Sequence, residues 1–142
     1  MVFSNEATKT VIERFPDLQK SKDWTNCYLI LKEDYKEPLR FSRLMMVLCF
    51  YVSDILNQAY ISTKKQHELK EIFLLVEFFL NDGNQDVQSA VATCFLEGLI
   101  NFISHDRLTS EKLMTYLVGK ESIEHCKAWD EFTGVKTEGL WD

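Results

Sequence analysis

Two prolines and five glycines in 142 residues are too few for a fold of many tight turns, which argues against a multi-stranded β-sandwich and for long helices. Long apolar runs are missing as well. The longest, residues 44–52, has nine residues, well short of the roughly 20 that a membrane-spanning helix needs. Basic charge is not in excess: 16 Lys and Arg against 22 Asp and Glu leave a net −6 and a pI near 5.1. Nucleic-acid binders normally carry a basic face, so direct contact with DNA or RNA is not expected. The four cysteines, Cys27, Cys49, Cys94 and Cys126, are 22, 45 and 32 residues apart and form no C-x-x-C pair. Neither a zinc knuckle nor a thioredoxin-type motif is available, and buried free thiols in a reducing compartment are the expected state. The opening residues MVFSNEATKT lack the basic-then-apolar order of a signal peptide, and a cytoplasmic location is expected.

Core material is plentiful. Hydrophobic residues make up 46% of the chain, with ten Phe, five Tyr and three Trp, so no disulfide, metal or cofactor is needed to hold a fold of this size. The expected architecture is a single all-α domain over residues 1–142, with 133–142 as an irregular tail. It is an irregular bundle or a set of stacked helix pairs, with about seven helices by periodicity.

The most distinctive stretch runs from Leu80 to His105. After a polar turn, Asn81 to Asn84, apolar residues fall at Val87, Ala90, Val91, Ala92, Cys94, Phe95, Leu96, Leu99, Ile100, Phe102 and Ile103. The polar remainder, Asp86, Ser89, Thr93, Glu97 and Asn101, recurs every three or four residues. One narrow polar stripe on an apolar cylinder predicts a helix buried on most sides.

Capping and periodicity place the other helices. A first is expected over 5–15, capped by Ser4 or Asn5 and ended by Pro16. Asp23 is expected to cap a second carrying Trp24, Cys27, Tyr28 and Leu31, with the charged run 32–37 as its exit loop. Pro38 suits the start of a third, running to about Ile61 with the run LMMVLCFYV buried all round. Residues 63–66 read as a polar connection and 67–81 as a fourth helix. Thr109 or Ser110 is expected to cap a sixth helix that Gly119 closes, and Ser122 to cap a short seventh with Ile123, Cys126 and Trp129.

No catalytic constellation emerges. His125 and Cys126 are adjacent, which puts their side chains about 100° apart on a helix, whereas a nucleophile and its base must converge. Glu77 and Glu97 are lone acids on apolar helices, and no Glu-x-x-His accompanies them as a bundle di-metal site requires. Each is expected to reach solvent or to pair with Arg40, Arg43 or Lys70. His105 suits a structural place at a helix C-terminus.

Charge is unevenly spread. Residues 121–142 hold Glu121, Glu124, Asp130, Glu131, Glu138 and Asp142 against Lys127 and Lys136, a net −4 of the total −6. Trp129 and Trp141 lie among these acids. Tryptophan anchors with acids that steer a basic partner are the composition of an interaction hot spot. Trp129, Asp130, Glu131, Glu138 and Trp141 are therefore the candidate partner-binding residues. The competing reading is a solvated acidic face with both Trp side chains packed inward.

Residues 80–92, LNDGNQDVQSAVA, resemble the turn and second helix of a HEAT-type repeat, though a single copy does not make a solenoid. Over a wider span, Leu75 to Leu80, the turn, and Asp86 to Leu99 resemble a group of small all-helical bacterial immunity proteins of polymorphic or contact-dependent growth-inhibition toxin systems. The resemblance implies a cytoplasmic, non-enzymatic protein that binds a cognate toxin and blocks its active site. An acidic inhibitor matches a basic nuclease domain as that toxin. The alternative is a helical protein–protein interaction adaptor.

Overall fold

The structure is a computed structural model that describes residues 1–25 and 37–142, and its elements are helices. Helix α1 spans Ser4–Arg14 and starts from an extended Phe3 rather than from a side-chain cap at Ser4 or Asn5. Pro16 does not simply end it: after Phe15 the proline opens a short helix, α2, Pro16–Gln19. Residues 22–25 are helical, and the cap is Ser21, whose Oγ accepts from the Trp24 N–H at 3.2 Å, not Asp23. Cys27, Tyr28, Leu31 and residues 32–36 lie outside the described residues.

Helix α3, Glu37–Leu56, includes Pro38 in its first turn and stops about five residues earlier than periodicity suggests. Helix α4, Thr63–Asp82, absorbs the expected connection 63–66 as its own first turn, because Ser62 caps it by accepting from the Lys65 N–H at 3.2 Å. A polar residue ahead of a polar turn is a cap when its oxygen meets those orphan donors. Helix α5 covers residues 85–103, opening at Asn84, whose side chain accepts from the Val87 N–H at 2.9 Å. Its middle, Val91–Glu97, is π-helical between the α-helical segments Gln85–Ala90 and Gly98–Ile103. A π-turn adds in effect one residue to the α register and rotates the next segment by about 100°.

Helix α6 spans Arg107–Tyr116. Asp106 caps it, accepting from Leu108 and Thr109, while Thr109 and Ser110 are buried inside its first turn. The Thr109 side chain and backbone hold the Asp106 carboxyl below its ordinary range. Helix α7, Lys120–Thr133, begins after Gly119, which is therefore its N-cap and not the closure of α6. Gly134, at φ 76°, ends α7 in the left-handed conformation that favours glycine.

The core sits where α3, α4 and α5 meet. Phe41, Met45 and Leu48 of α3, Leu69, Ile72 and Phe79 of α4, and Phe95, Leu96 and Leu99 of α5 are all buried. Phe41 meets Phe79 edge-on at 5.7 Å, and Phe73 meets Phe95 at 5.7 Å. Each such side chain contributes about 1.5–3 kcal/mol by leaving water. The apolar run of α3 and the apolar face of α5 are mostly buried, with Met46, Phe50, Ala92 and Cys94 half-buried and Phe102 exposed, its ring packed on Phe50 at 5.3 Å. The chain start is tied in as well, since Val2 bridges Asp82 and Asn84 through backbone hydrogen bonds of 2.7 and 2.8 Å.

A polar knot joins α2, α3 and α4 at one end. The Tyr51 hydroxyl donates to Glu68, and Lys65 Nζ donates to Tyr51 Oη at 2.6 Å and lies 3.4 Å from Asp17 Oδ2. Burial, with Glu68 adding to it, pushes the Tyr51 hydroxyl up, while hydrogen bonds from Lys64 and Lys65 hold Asp17 down.

Candidate functional site

The expected partner-binding residues divide into two groups. Asp130 is fully buried and belongs to the interior. Its carboxylate accepts from the Thr137 N–H at 2.7 Å, from the Thr137 hydroxyl at 2.8 Å and from Trp141 Nε1 at 3.0 Å. One carboxylate thus folds residues 135–141 back onto α7, and Leu140 is buried with them. The expected irregular tail is pinned rather than loose, and Asp130 is corrected from a contact residue to the clamp that holds it. Trp141 is half-buried, spends its indole N–H on Asp130 and carries Lys127 Nζ over its ring at 5.4 Å.

The other three residues face outward in whole or in part. Glu131 and Glu138 are exposed, and Arg107 Nε lies 4.0 Å from Glu138 Oε1. Trp129 is half-buried, with Nε1 donating to Asn101 Oδ1 at 2.9 Å. Phe132, one turn further along α7 and 81% exposed, stacks on Trp129 with centroids 5.5 Å apart and planes 23° from parallel. An exposed Phe lying flat on an indole that is itself hydrogen-bonded is a pre-oriented apolar platform. It offers area to a partner at little cost in side-chain entropy. Glu131 adjoins it in sequence, so apolar anchor and negative charge share this end of α7.

Asn101 and Glu97 are what set α7 in place. Glu97 Oε2 lies 2.7 Å from His125 Nε2, and Asn101 takes Trp129. Both pairs step four residues in the same sense, so α5 and α7 run parallel here with their polar positions in register. The polar stripe of α5 is thus a docking strip for α7. Glu97 meets His125, a partner outside the expected set, and His125 is turned toward that carboxylate. Cys126 is buried, and desolvation, with the charges of Asp130 and Glu97 adding to it, pushes its thiol up to about 12. Such a thiol is a poor nucleophile.

Glu77 has a structural task of its own. From α4 it reaches the start of α7, accepting from the Glu121 N–H at 3.0 Å, the Ser122 N–H at 2.9 Å and the Ser122 hydroxyl at 2.8 Å. Burial raises a carboxyl, but here the Ser122 and Glu121 amides and the Ser122 and Asn81 side chains outweigh it, and Glu77 is held below its ordinary range. The approach is so close that a methyl group on Gly119 would lie 2.2 Å from Glu77 Oε1. Ser122, expected as the cap, is instead a donor inside the capped turn.

Among the described residues, no three His, Cys, Asp or Glu side chains come together to hold a metal ion. No helix among them is long and apolar enough to cross a membrane. Sequence reasoning missed Phe132 and Asn101. Asn101 carried a usable signal, four residues after Glu97 in the polar stripe. Phe132 carried none, since a lone Phe near a helix end reads as core.

The geometry is that of an all-helical protein with an aromatic, acidic face on its last helix. Residues 8–133 match one family model, and the chain belongs to that family, DUF7674, described as a domain of unknown function. The chain matches no curated protein and no solved structure.

Proposed function

We propose that this chain is an immunity-type protein that binds a cognate toxin domain, with a basic nuclease as the best-matched partner, and neutralises it by covering its active site. The observation that carries the reading is the Trp129–Phe132 stack, held by Asn101, within the stretch 121–142 that carries most of the net negative charge of the sequence. Rigid aromatic anchors with acids beside them bind and steer a cationic surface. The likeness of residues 75–99 to small helical immunity proteins supports the same reading. The contact set is revised to Trp129, Phe132, Glu131 and Glu138, while buried Asp130 holds the tail and Trp141 in place.

The test is co-expression with the toxin domain encoded beside this chain's gene. Restored growth and a stable complex are expected, both weakened by the pair Trp129→Ala and Phe132→Ala. Absence of both rescue and complex with the unaltered chain would sink the proposal.

A further inference from the structure

Two helices flank α5 and run the same way. Cys49 of α3 stands 3.2 Å from where a methyl on Gly98 would be, and Phe50 packs on Phe102 at 5.3 Å, so α3 and α5 climb together. On the other flank, one step round α5, Glu97 meets His125 and Asn101 meets Trp129, so α7 climbs with them. Each flanking helix carries an outward stripe whose residues step by three or four, the spacing of one helix face. On α3 the stripe is Arg40, Arg43, Met46 and Phe50, exposed and cationic first, then apolar and half-buried. On α7 it is Glu121, Glu124, Ala128 and Phe132, all exposed, acidic first and apolar after. Levelled through those contacts with α5, Arg40 stands abreast of Glu121, Arg43 of Glu124 and Phe50 of Phe132, each to within about one helical turn. At its apolar end the α3 stripe opens into a space of about 300 Å³ whose lining includes Met46, Phe50, Cys94 and Phe102.

We propose that this face pairs with a second copy of the chain, about a two-fold axis that runs along the outer ridge of α5 parallel to the helices. Such an axis keeps every residue at its level and carries the α7 flank of one copy onto the α3 flank of the other. Arg40 and Arg43 of each copy then meet Glu121 and Glu124 of the other, and exposed Phe132 enters the space beside Phe50 and Phe102. Every contact is made twice, because a two-fold interface is isologous. The opposite charges set the register and speed encounter, and the phenyl ring supplies buried area. An axis across the helices would instead lay each stripe reversed on its own copy, with charged ends against apolar ones, and the charge pattern selects against it. Phe132 also belongs to the face assigned to the proposed toxin partner, so self-pairing and toxin binding exclude one another. The pairing rests on the two stripes and stands or falls without that partner.

The experiment is sedimentation equilibrium of the full chain across the micromolar to millimolar range, at low and high salt. A monomer–dimer equilibrium is expected, weakened by salt. Arg43→Glu and Glu124→Arg each set like charges face to face twice, and each should weaken self-association at least about tenfold. Mixed in equal amounts, these two variants should dimerise again, because one half of the mixed interface keeps the native charges and the other has them exchanged. Phe132→Ala should weaken the dimer as well, whereas Glu13→Arg on α1, which alters net charge away from this face, should not. Circular dichroism establishes that each variant is folded, and Arg40→Glu with Glu121→Arg is a second exchange pair should one of the first fail to fold. A chain that stays monomeric throughout overturns the proposal. So does a mixture of the charge variants that remains monomeric, or a dimer unchanged by Arg43→Glu and Phe132→Ala.

Discussion

Glu77 and Ser122, 45 residues apart, are joined by two hydrogen bonds to a single carboxylate oxygen, which takes both the Ser122 amide and its hydroxyl. Helix α7 therefore owes its N-terminal cap to α4 and not to its own sequence. Glu77→Ala removes that cap and should cost about 1–2 kcal/mol in urea unfolding. Gly119→Ala, which forces the carboxylate away, should cost a similar amount, and the double variant little more than either. Fully additive losses would show that the two residues act independently. Because the folded pKa of Glu77 lies below the ordinary value of 4.5, its contribution is present above that pH and is lost as pH falls through the lowered value.

Asp130 serves the tail as Glu77 serves the helix start. Asp130→Ala leaves Thr137 and Trp141 without their acceptor and should destabilise by about 3 kcal/mol. Limited proteolysis should then cut within 135–142, and the Trp141 emission should shift to the red. A tail as resistant to protease as before would contradict the clamp.

An acid pair gives the opposite pH dependence. Burial first, then the hydrogen bond and charge of Asp54, push Asp23 up to about 6 from 3.8. A carboxyl whose pKa is raised on folding favours the folded state when protonated. Stability should therefore fall as pH rises from about 4 to 6. Asp23→Asn should flatten that slope and raise stability at pH 7. The window from 4.5 to 6 is the cleanest, because Asp17 and Glu77, both lowered, titrate beneath it. Equal slopes for the two proteins in that window would remove the Asp23–Asp54 pair as its source.

Separation of anchor from charge is expected at the aromatic face. Phe132→Ala should change stability by no more than about 0.5 kcal/mol, as an exposed substitution, yet speed dissociation from the proposed toxin partner. Charge reversal at Glu131 and Glu138 should slow association, most at low salt. Kinetics by surface plasmon resonance at two salt concentrations would distinguish these effects. Unchanged rates in all three variants would exclude this face as the interface.

The all-helical class and the buried faces of α3 and α5 were legible in the chain, because period 3.6 and composition act over single helices. The correct caps were less so. Asn84 sits in the expected turn, but Ser62, Asp106 and above all Glu77 depend on which oxygen reaches which orphan amide. The acidic, Trp-bearing C-terminal stretch was visible as charge, while the division of its residues was not. Asp130 and Glu131 are neighbours in sequence and point to opposite environments, one to the Thr137 and Trp141 donors and one to water. Only packing decides that, since a helix turns about 100° per residue and a carboxylate one step round can trade solvent for a buried hydrogen-bond network.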